Sequence, residues 1–491
     1  MARIPELGIS GSCVGGRVEE RYGIDQPMNK ALLDYFRCPE ACVDFALRGE
    51  ICPGEGYFYF GPGLLCYGQS SVGYYAEDPA DATCDLLYHV RQEGSTCLVP
   101  FDPTAVVENF QREHYLRSFR DHGPQKNGIA KRTMFTLYYA MRPHMGVSTR
   151  RHLQRLWLMG WKKKAFPCWP IDRSADQILE KLLVGSMRAR GVDRIPFIWF
   201  WPDGYKSCAI LTHDVEEAEG RDFCSGLMDI NDSFGMKSSF QIIPEVRYAV
   251  SHAFLDGIHE RGFEVNVHDL NHDGHLYDDR EEFLRRAAKI NRHAREFGAT
   301  GFRAGVLYRN LDWYDAFEFS YDMSVPNVAH LDPQTGGCCS VMPYFIGDVL
   351  ELPLTTTQDY SLFSILSEYS IDLWKRQIEI ITAHYGLLSF NIHPDYVIEK
   401  RARETYRQLL AHLAQMRSAG QVWMTLPREV DRWWRERARM RIAGEEGNWR
   451  IEGPGQERAR LAYASLSGDQ LTYSIESKSR AASSLPESKQ L

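Results

Sequence analysis

The segment FEVNVHDLNHDGHLY, residues 263–277, decides how this chain is interpreted, because a strand-like apolar run leads directly into a pair of histidines. His268 and His272 are four residues apart, so both imidazoles can face one metal ion if the segment turns like a helix. A strand that ends in metal-ligand residue types is typical of an α/β fold that carries its site at the ends of strands.

A second segment of the same kind lies upstream, where KSCAILTHDVEE (206–217) runs from apolar to acidic. Asp214 and Glu216 are two residues apart, so both side chains point to one face of a strand. Two histidines, one carboxylate ligand and one spare carboxylate are the parts of a hydrolytic metal site. The two segments together predict such a site.

Outward from these segments, residues 205–435 alternate between strand-like and helix-like patterns. Helix-like stretches such as REEFLRRAAKINRHAREFG (280–298) separate strand-like ones such as KSSFQIIP (237–244) and GLLSFNIHP (386–394). This alternation predicts parallel strands joined by crossover helices, here a distorted (β/α) barrel. The polar residues of interest follow strands, at the end where such a barrel carries its active site: Asp214, Glu216, His268, Arg303 and His393.

The remainder of the 491 residues favours additional units, and the length suggests two or three domains. Residues 1–200 are interpreted as a separate N-terminal α/β or α+β domain of unknown role. Residues 440–476 alternate around an SGDQ turn and predict a small β appendage. Residues 477–491 are rich in Ser, Lys and Glu, which predicts a disordered tail.

Composition narrows the class of protein. The net charge of −8 and pI of about 6.1 give no reason to expect nucleic-acid binding. We expect neither a signal peptide nor a membrane span, because no basic segment precedes an apolar core and no apolar run is long enough. The 12 cysteines form no CxxC pair and indicate free thiols in the cytoplasm, although Cys38, Cys42 and Cys52 leave an iron–sulfur or zinc site open.

Four motifs in order resemble those of the polysaccharide deacetylase family, also called the NodB-homology domain or carbohydrate esterase family 4. LTHDVE (211–216) is similar to its aspartate motif and HDLNH (268–272) to its histidine pair. FRAG (302–305) is similar to its arginine motif and SFNIHPD (389–395) to its last motif, a His-Pro flanked by apolar residues. The resemblance covers roughly 230 residues and implies a barrel of NodB type at 205–435.

The chain also departs from the family pattern. The two adjacent aspartates of the first motif are replaced by Asp214 and Glu216 with Val215 between them, as in a D-x-D variant. The residue after the first histidine is Asp269 instead of serine or threonine, and Ala304-Gly305 follows Arg303 in place of x-Pro-Tyr. No DxxDW element is evident. These differences mark a divergent member.

The resemblance implies that Glu216, His268 and His272 bind a divalent metal, for which Glu217 and Asp273 are alternative carboxylate ligands. Three protein ligands leave a position for a water molecule, whose pKa the metal lowers towards roughly 7. Zinc is the expected ion, and the ligand set does not exclude cobalt, nickel or iron. His275 is expected to support a ligand or to face solvent.

By the same resemblance, Asp214 is the general base, and Arg303 holds and orients it. His393 is the general acid that protonates the leaving amine. Its carboxylate partner is not evident, and Glu351 and Asp322 are the candidates. A backbone N–H after Arg303 is expected to help stabilise the oxyanion.

The function implied is metal-dependent hydrolysis of an N-acetyl group on an amino sugar of a polysaccharide or glycan precursor. Three alternatives stay open: a hydrolase of other non-peptide C–N bonds such as cyclic amides, an inactive glycan-binding or scaffold module, and an HD-type phosphohydrolase. The partner implied is a glycan or a lipid- or nucleotide-linked amino sugar. Residues 149–166, where basic residues alternate with Trp157 and Trp161, suggest a peripheral membrane contact, although a solvated helix face is the simpler interpretation.

Overall fold

The computed structural model describes residues 28–116, 158, 160–468 and 470–476. The N-terminal part contains a three-stranded sheet in the order β1-β5-β4, a β2-β3 hairpin and flanking helices. Its helices are α1 (Lys30–Phe36), α2 (Pro103–Gln111) and α3 (Ser174–Arg190). Its strands are β1 (Phe45–Leu47), β2 (Gly56–Tyr59), β3 (Leu65–Gly68), β4 (Arg91–Glu93), β5 (Thr96–Val99) and β6 (Arg194–Ile198).

From Ser207 onward, strands and helices alternate as the sequence predicts. The strands are β7 (Ser207–Val215), β8 (Ser239–Ile242), β9 (Glu264–His268), β10 (Gly301–Arg303), β11 (Tyr321–Asp322), β12 (Tyr344–Ile346), β13 (Val349–Glu351), β14 (Leu387–Asn391) and β15 (Val422–Thr425). The helices are α4 (Ala218–Ser233), α5 (His252–Glu260), α6 (Arg280–Phe297), α7 (Asp372–Ala383), α8 (Pro394–Val397), α9 (Lys400–Ser418) and α10 (Pro427–Arg439). Gly298 ends α6 in the left-handed conformation that glycine favours.

The strands after residue 205 form one curled sheet in the order β12-β13-β11-β10-β9-β8-β7-β14, with β15 also paired to β7. All of these pairs are parallel except β12 with β13. The predicted α/β architecture of this region is therefore confirmed. Because the strands are parallel, their carboxyl ends meet at one edge of the sheet.

Side-chain hydroxyls connect the two ends of the curled sheet. Thr355 Oγ1 donates to the carbonyl of Leu387 at 2.7 Å, and Thr356 Oγ1 donates to that of Ser389 at 2.7 Å. The amide of Ser389 in turn donates to Thr355 Oγ1 at 3.0 Å. The segment that follows β13 is thus held against β14 and leads directly into residues 357–360.

The C-terminal segment contains two pairs of antiparallel strands, where a small β appendage was predicted. Strands β16 (Arg441–Ala443) and β17 (Arg450–Glu452) form a hairpin. Strands β18 (Leu461–Ser467) and β19 (Gln470–Ile475) pair with each other, and β18 also pairs with β6. The appendage thus completes a sheet with a strand that precedes the barrel. The predicted tail at 477–491 lies outside the described residues.

The N-terminal part packs directly on the barrel. One buried apolar cluster includes residues of both, among them Phe36, Phe197 and Tyr321. A buried ion pair joins Glu113 to Arg309 at 2.5 Å. The domain boundaries proposed from the sequence stay a prediction. No helix among the described residues is both long and apolar enough to cross a membrane.

Arg437 of α10 is fully buried between the two parts. Its guanidinium donates to the carbonyls of Tyr35, Phe36, Ile198 and Trp199 at 2.8–3.2 Å. Burial, together with the nearby charge of Arg37, lowers the pKa of Arg437 to about 9. One cation thereby satisfies backbone acceptors from α1 and from the β6 region.

Candidate metal centre and active site

The carboxyl ends of four strands bring the predicted residues to one place. Asp214 lies near the end of β7, and Glu216 follows the last residue of that strand. His268 ends β9, and Arg303 ends β10 directly opposite it in the parallel register. His393 follows β14, which pairs with β7 on the other side.

Glu216, His268 and His272 each offer one ligand atom, and these three atoms lie within 4.8 Å of one another. The Nδ1 atom of His268 is 3.1 Å from the carbonyl of Arg303, which leaves Nε2 as the free ring nitrogen. The Nε2 atoms of both histidines are buried without a hydrogen-bond partner among the described residues. His272 Nε2 is 3.2 Å from Glu216 Oε1. Unpaired imidazole nitrogens beside a carboxylate fit a divalent cation such as zinc.

The loop after β9 turns tightly to place the second histidine. Asp269 and His272 both adopt left-handed backbone conformations, with φ values of 57° and 55°. The FRAG segment approaches this loop closely: a Cβ atom at Gly305 would lie 2.3 Å from Asp269 Oδ2 and 3.0 Å from His272 Cδ2. A larger residue at position 305 would therefore collide with Asp269 and His272, which explains why glycine follows Ala304.

The alternative ligands lie elsewhere. Glu217 is half exposed and pairs with Arg247 at 2.8 Å, while Asp273 pairs with Arg286 at 2.8 Å. His275 is exposed and bonds to Asp278, so of its two expected roles it faces solvent. Within the described ranges, Cys38, Cys42 and Cys52 do not form a group that could hold a metal.

Asp214 is buried and held by two donors. Arg303 Nη1 donates to Oδ1 at 2.9 Å, and Asn391 Nδ2 donates to Oδ2 at 2.7 Å. Burial raises the pKa of Asp214, but the positive charge of Arg303, together with the neighbouring His268 and His393 and the Asn391 hydrogen bond, outweighs it, so the pKa lies below its usual value. The Oδ2 atom is 3.9 Å from the Nε2 atoms of both histidines.

Arg303 is itself fixed from three sides. Its Nε donates to the carbonyl of Met323 at 2.9 Å, and its Nη1 also donates to Thr212 Oγ1 at 2.8 Å. The backbone N–H of Ala304 donates to Ser324 Oγ at 2.8 Å. The backbone N–H directly after Arg303, which was expected to stabilise the oxyanion, is therefore already bonded to Ser324. That expectation is wrong for Ala304.

The carboxylate partner of His393 is Asp359. Asp359 Oδ1 is 2.6 Å from His393 Nδ1, and its Oδ2 accepts the backbone N–H of the same histidine at 2.8 Å. Burial lowers the pKa of His393, but Asp359 and Glu216 outweigh it, so the pKa lies well above its usual value. The Nε2 atom faces the cavity, 3.6 Å from Glu216 Oε1.

Neither carboxylate suggested by the sequence contacts His393. Asp322 instead accepts hydrogen bonds from Tyr314 and Ser324, and Glu351 accepts the amide of Val325. Burial and the neighbouring Asp322 carboxylate raise the pKa of Glu351 well above its usual value. This pair belongs to the interior of the barrel. The two suggestions were wrong because Asp359 lies at the start of a short helical segment between β13 and α7, where no strand pattern points to it.

Replacing Asp359 by asparagine is expected to lower kcat about 100-fold, with little change in KM, because the amide no longer fixes the protonated His393 ring. Turnover at saturating substrate measures the change. Asp348→Asn, at an exposed position after β12, is the control and should match the unaltered protein. Equal kcat values for the two variants would refute the role of Asp359.

Asp395 is a further residue of the site that the sequence did not single out. Its Oδ2 accepts the backbone N–H of Glu216 at 3.2 Å, and its Oδ1 accepts that of Gly220, in the first turn of α4, at 3.2 Å. A Cβ atom at Gly220 would lie 2.4 Å from Asp395 Oδ1, so the close approach depends on glycine. The sequence HPD could have indicated Asp395, because this aspartate follows His393, the predicted general acid, by two residues.

The metal-ligand residues and their neighbours line a cavity of about 110 Å³. Asp214, Glu216, His268, His272 and His393 form one side, and apolar side chains with Asp332, Gln358, Tyr360 and Tyr396 form the rest. Pockets for drug-sized ligands are larger, roughly 300–1,000 Å³. The cavity therefore admits only part of a larger substrate.

Comparisons with known proteins concern this barrel. No family model matches the chain, and no curated protein matches it. Among solved structures, a Mycobacterium smegmatis protein assigned to the polysaccharide deacetylases is 18% identical with a TM-score of 0.38, covering 48% of this chain and 93% of its own. PuuE allantoinase is 14% identical with a TM-score of 0.37, covering 48% and 92%. Peptidoglycan deacetylase PdaC from Bacillus subtilis is 11% identical with a TM-score of 0.31, covering 46% and 90%.

At these identities, function has to be inferred from the side chains of the site itself. The similar structures span about half of the chain, the barrel's share of its length. Polysaccharide deacetylases and carbohydrate esterase family 4 members are among them, at identities of 11–18% and TM-scores of 0.31–0.38.

Proposed function

We propose that this chain is a metal-dependent hydrolase that removes the N-acetyl group from an amino sugar of a polysaccharide or glycan precursor. One observation carries the proposal. The metal-ligand atoms lie between Asp214, a buried carboxylate that accepts a hydrogen bond from Arg303, and His393, whose ring is held by the carboxylate of Asp359. Glu216, His268 and His272 would hold the metal. When bound, a divalent cation would supply Lewis-acid activation of water near neutral pH.

Asp214 accepts the proton that the attacking water loses. Its Oδ2 atom lies at the cavity, and Arg303 and Asn391 fix the carboxylate so that it stays ionised and correctly oriented. Arg303 is a positioning residue, because it contacts Asp214 and backbone and does not line the cavity.

His393 supplies a proton to the other side of the scissile bond. Asp359 holds Nδ1, so the Nε2–H faces the cavity and can donate to the departing nitrogen. A C–O bond forms, the C–N bond breaks, and acetate and a free amine leave. Amines are poor leaving groups without a proton, so an amide substrate requires such a donor.

The experiment is a panel of acetate-release assays on N-acetylated chitin oligosaccharides and acetylated monosaccharides, with allantoin hydrolysis as the cyclic-amide alternative. We expect acetate release that a chelator removes and that zinc restores. His268→Ala should lower the metal-to-protein ratio measured by mass spectrometry to well below that of the unaltered chain.

Two of the alternatives have their own outcomes in this panel. Hydrolysis of allantoin alone favours a cyclic-amide hydrolase. A metal-free protein that releases no acetate, and is unaffected by His268→Ala, favours a binding or scaffold module and refutes the proposal. The contact with a membrane suggested for residues 149–166 falls mostly outside the described residues and stays a prediction.

A further inference from the structure

We infer that Asp332 is the residue that recognises the substrate, by accepting a hydrogen bond from a hydroxyl group on the part of the molecule that carries the scissile amide. The inference rests on the proposed function, because it assigns the substrate side of the same cavity. Asp332 has no part in the proton transfers described above.

Asp332 is placed to face a substrate. It lines the cavity with the metal-ligand group although it is only 7% exposed. Its Oδ1 atom accepts a hydrogen bond from Gln358 Nε2 at 2.6 Å. Among the described residues, no second hydrogen bond and no ion pair involves this carboxylate, so Oδ2 is left to accept from another molecule.

A short polar chain fixes Asp332 relative to the reacting groups. Gln358 Oε1 is 3.5 Å from Asn391 Nδ2, and that same amide donates to Asp214 Oδ2 at 2.7 Å. The amide of Gln358 therefore has a defined orientation, with its nitrogen towards Asp332. The distance between the base and the recognising carboxylate is set by two intervening amide side chains.

The surroundings favour a neutral donor over a cationic one. Lys164 donates to the carbonyl of His330 at 3.4 Å, two residues before Asp332, and its charge acts on the carboxylate. The positive charge of Lys164 would repel an ammonium group of a substrate bound at Asp332. Burial raises the pKa of Asp332 to about 6, although the Gln358 hydrogen bond and the charges of Arg309 and Lys164 oppose the rise.

The walls on either side of Asp332 are apolar or aromatic. Leu307, Leu331 and Pro333 lie around it, and Tyr360 packs against Tyr396 with ring centroids 5.7 Å apart. Apolar surface for C–H faces, with one carboxylate for a hydroxyl, is the chemistry that binds a polyhydroxylated ring. Lys164 precedes the barrel in sequence, so the N-terminal part contributes to the setting of this residue.

The test compares N-acetylglucosamine with N-cyclohexylacetamide, which keeps the ring and the acetamide but has no hydroxyls. The quantity measured is the ratio of kcat/KM for the two probes. We expect the unaltered protein to prefer N-acetylglucosamine and Asp332→Ala to reduce that ratio at least 10-fold, since a site built for a hydroxyl rejects the analogue that lacks it. Asp332→Asn retains one acceptor oxygen and should fall between the two.

Asp256→Ala, at an exposed position on α5, is the control and should keep the ratio of the unaltered protein. If Asp332 only supports the fold, Asp332→Ala lowers kcat/KM equally for both probes. The ratio then stays constant, and the inference is overturned. Ligand-observed NMR gives Kd values for both probes without turnover. If the protein hydrolyses neither probe, acetate release from the chitin oligosaccharides decides the proposed function, while the ratio of Kd values still decides the role of Asp332.

Discussion

Asp214→Asn is expected to lower kcat by about 1,000-fold while the protein keeps its metal. A positioned general base contributes roughly 10²–10⁴ to a rate, and an amide cannot accept the proton of the attacking water. The side-chain NH₂ group of the new asparagine would also lie beside a hydrogen-bond donor, Arg303 or Asn391, because both of these residues donate to the native carboxylate. The measurement is kcat for acetate release, with the metal-to-protein ratio determined on the same sample.

The control is Asp222→Asn on α4, an exposed aspartate that forms an ion pair with its neighbour Arg221. It should retain full activity. A loss of metal in Asp214→Asn would instead make Asp214 a metal ligand, and unchanged kcat with metal retained would remove it from the mechanism. Thermal unfolding of both variants separates these outcomes from a loss of folded protein.

Arg437→Met is expected to lower the free energy of unfolding by about 3 kcal/mol or more. The guanidinium donates to four backbone carbonyls that would be left without donors inside the protein, and each unsatisfied buried group costs about 1–3 kcal/mol. The buried cation also carries a desolvation cost, visible in its lowered pKa, which offsets part of the loss. Methionine keeps similar length and apolar contacts, so the change reports on the hydrogen bonds.

Arg432→Met on the same helix is the matched control, since Arg432 is exposed and forms an ion pair with Glu429. Such exposed pairs contribute about 0–1 kcal/mol. Urea unfolding followed by tryptophan fluorescence measures both variants. Equal midpoints for the two would contradict the idea that Arg437 holds the N-terminal part to the barrel.

The barrel was predictable because periodicity and strand-end chemistry agree over long segments. Helix α6 and its Gly298 stop lie where the pattern placed them, and so does the strand that ends at His268. Two histidines four residues apart, at the end of a buried strand, predicted a group of ligand atoms, and the structure places one atom of each histidine and one of Glu216 within 4.8 Å of one another. Glu216 was distinguishable from Glu217 and Asp273 only in three dimensions, because all three are acids close to the same turn.

Other parts of the site depend on segments without a period. Asp359 is 34 residues from His393 and begins a short helical segment outside the strand pattern, so no spacing rule links the two. Asp332 likewise follows a loop with no motif, and its significance is visible only from the cavity that it lines. The pairing of β6 with β18 joins segments too distant in sequence for any local pattern to indicate.

That last pairing determines the order in which the protein can be completed during synthesis. Strand β6 leaves the ribosome with its partner still about 260 residues away in the chain, a delay of roughly 15–50 s at 5–20 residues per second. Through that interval β6 lacks its partner strand, and an unpaired strand edge can pair with other chains. Premature termination before residue 461 would therefore yield a product with every strand of the curled sheet and an unpaired, aggregation-prone edge on β6.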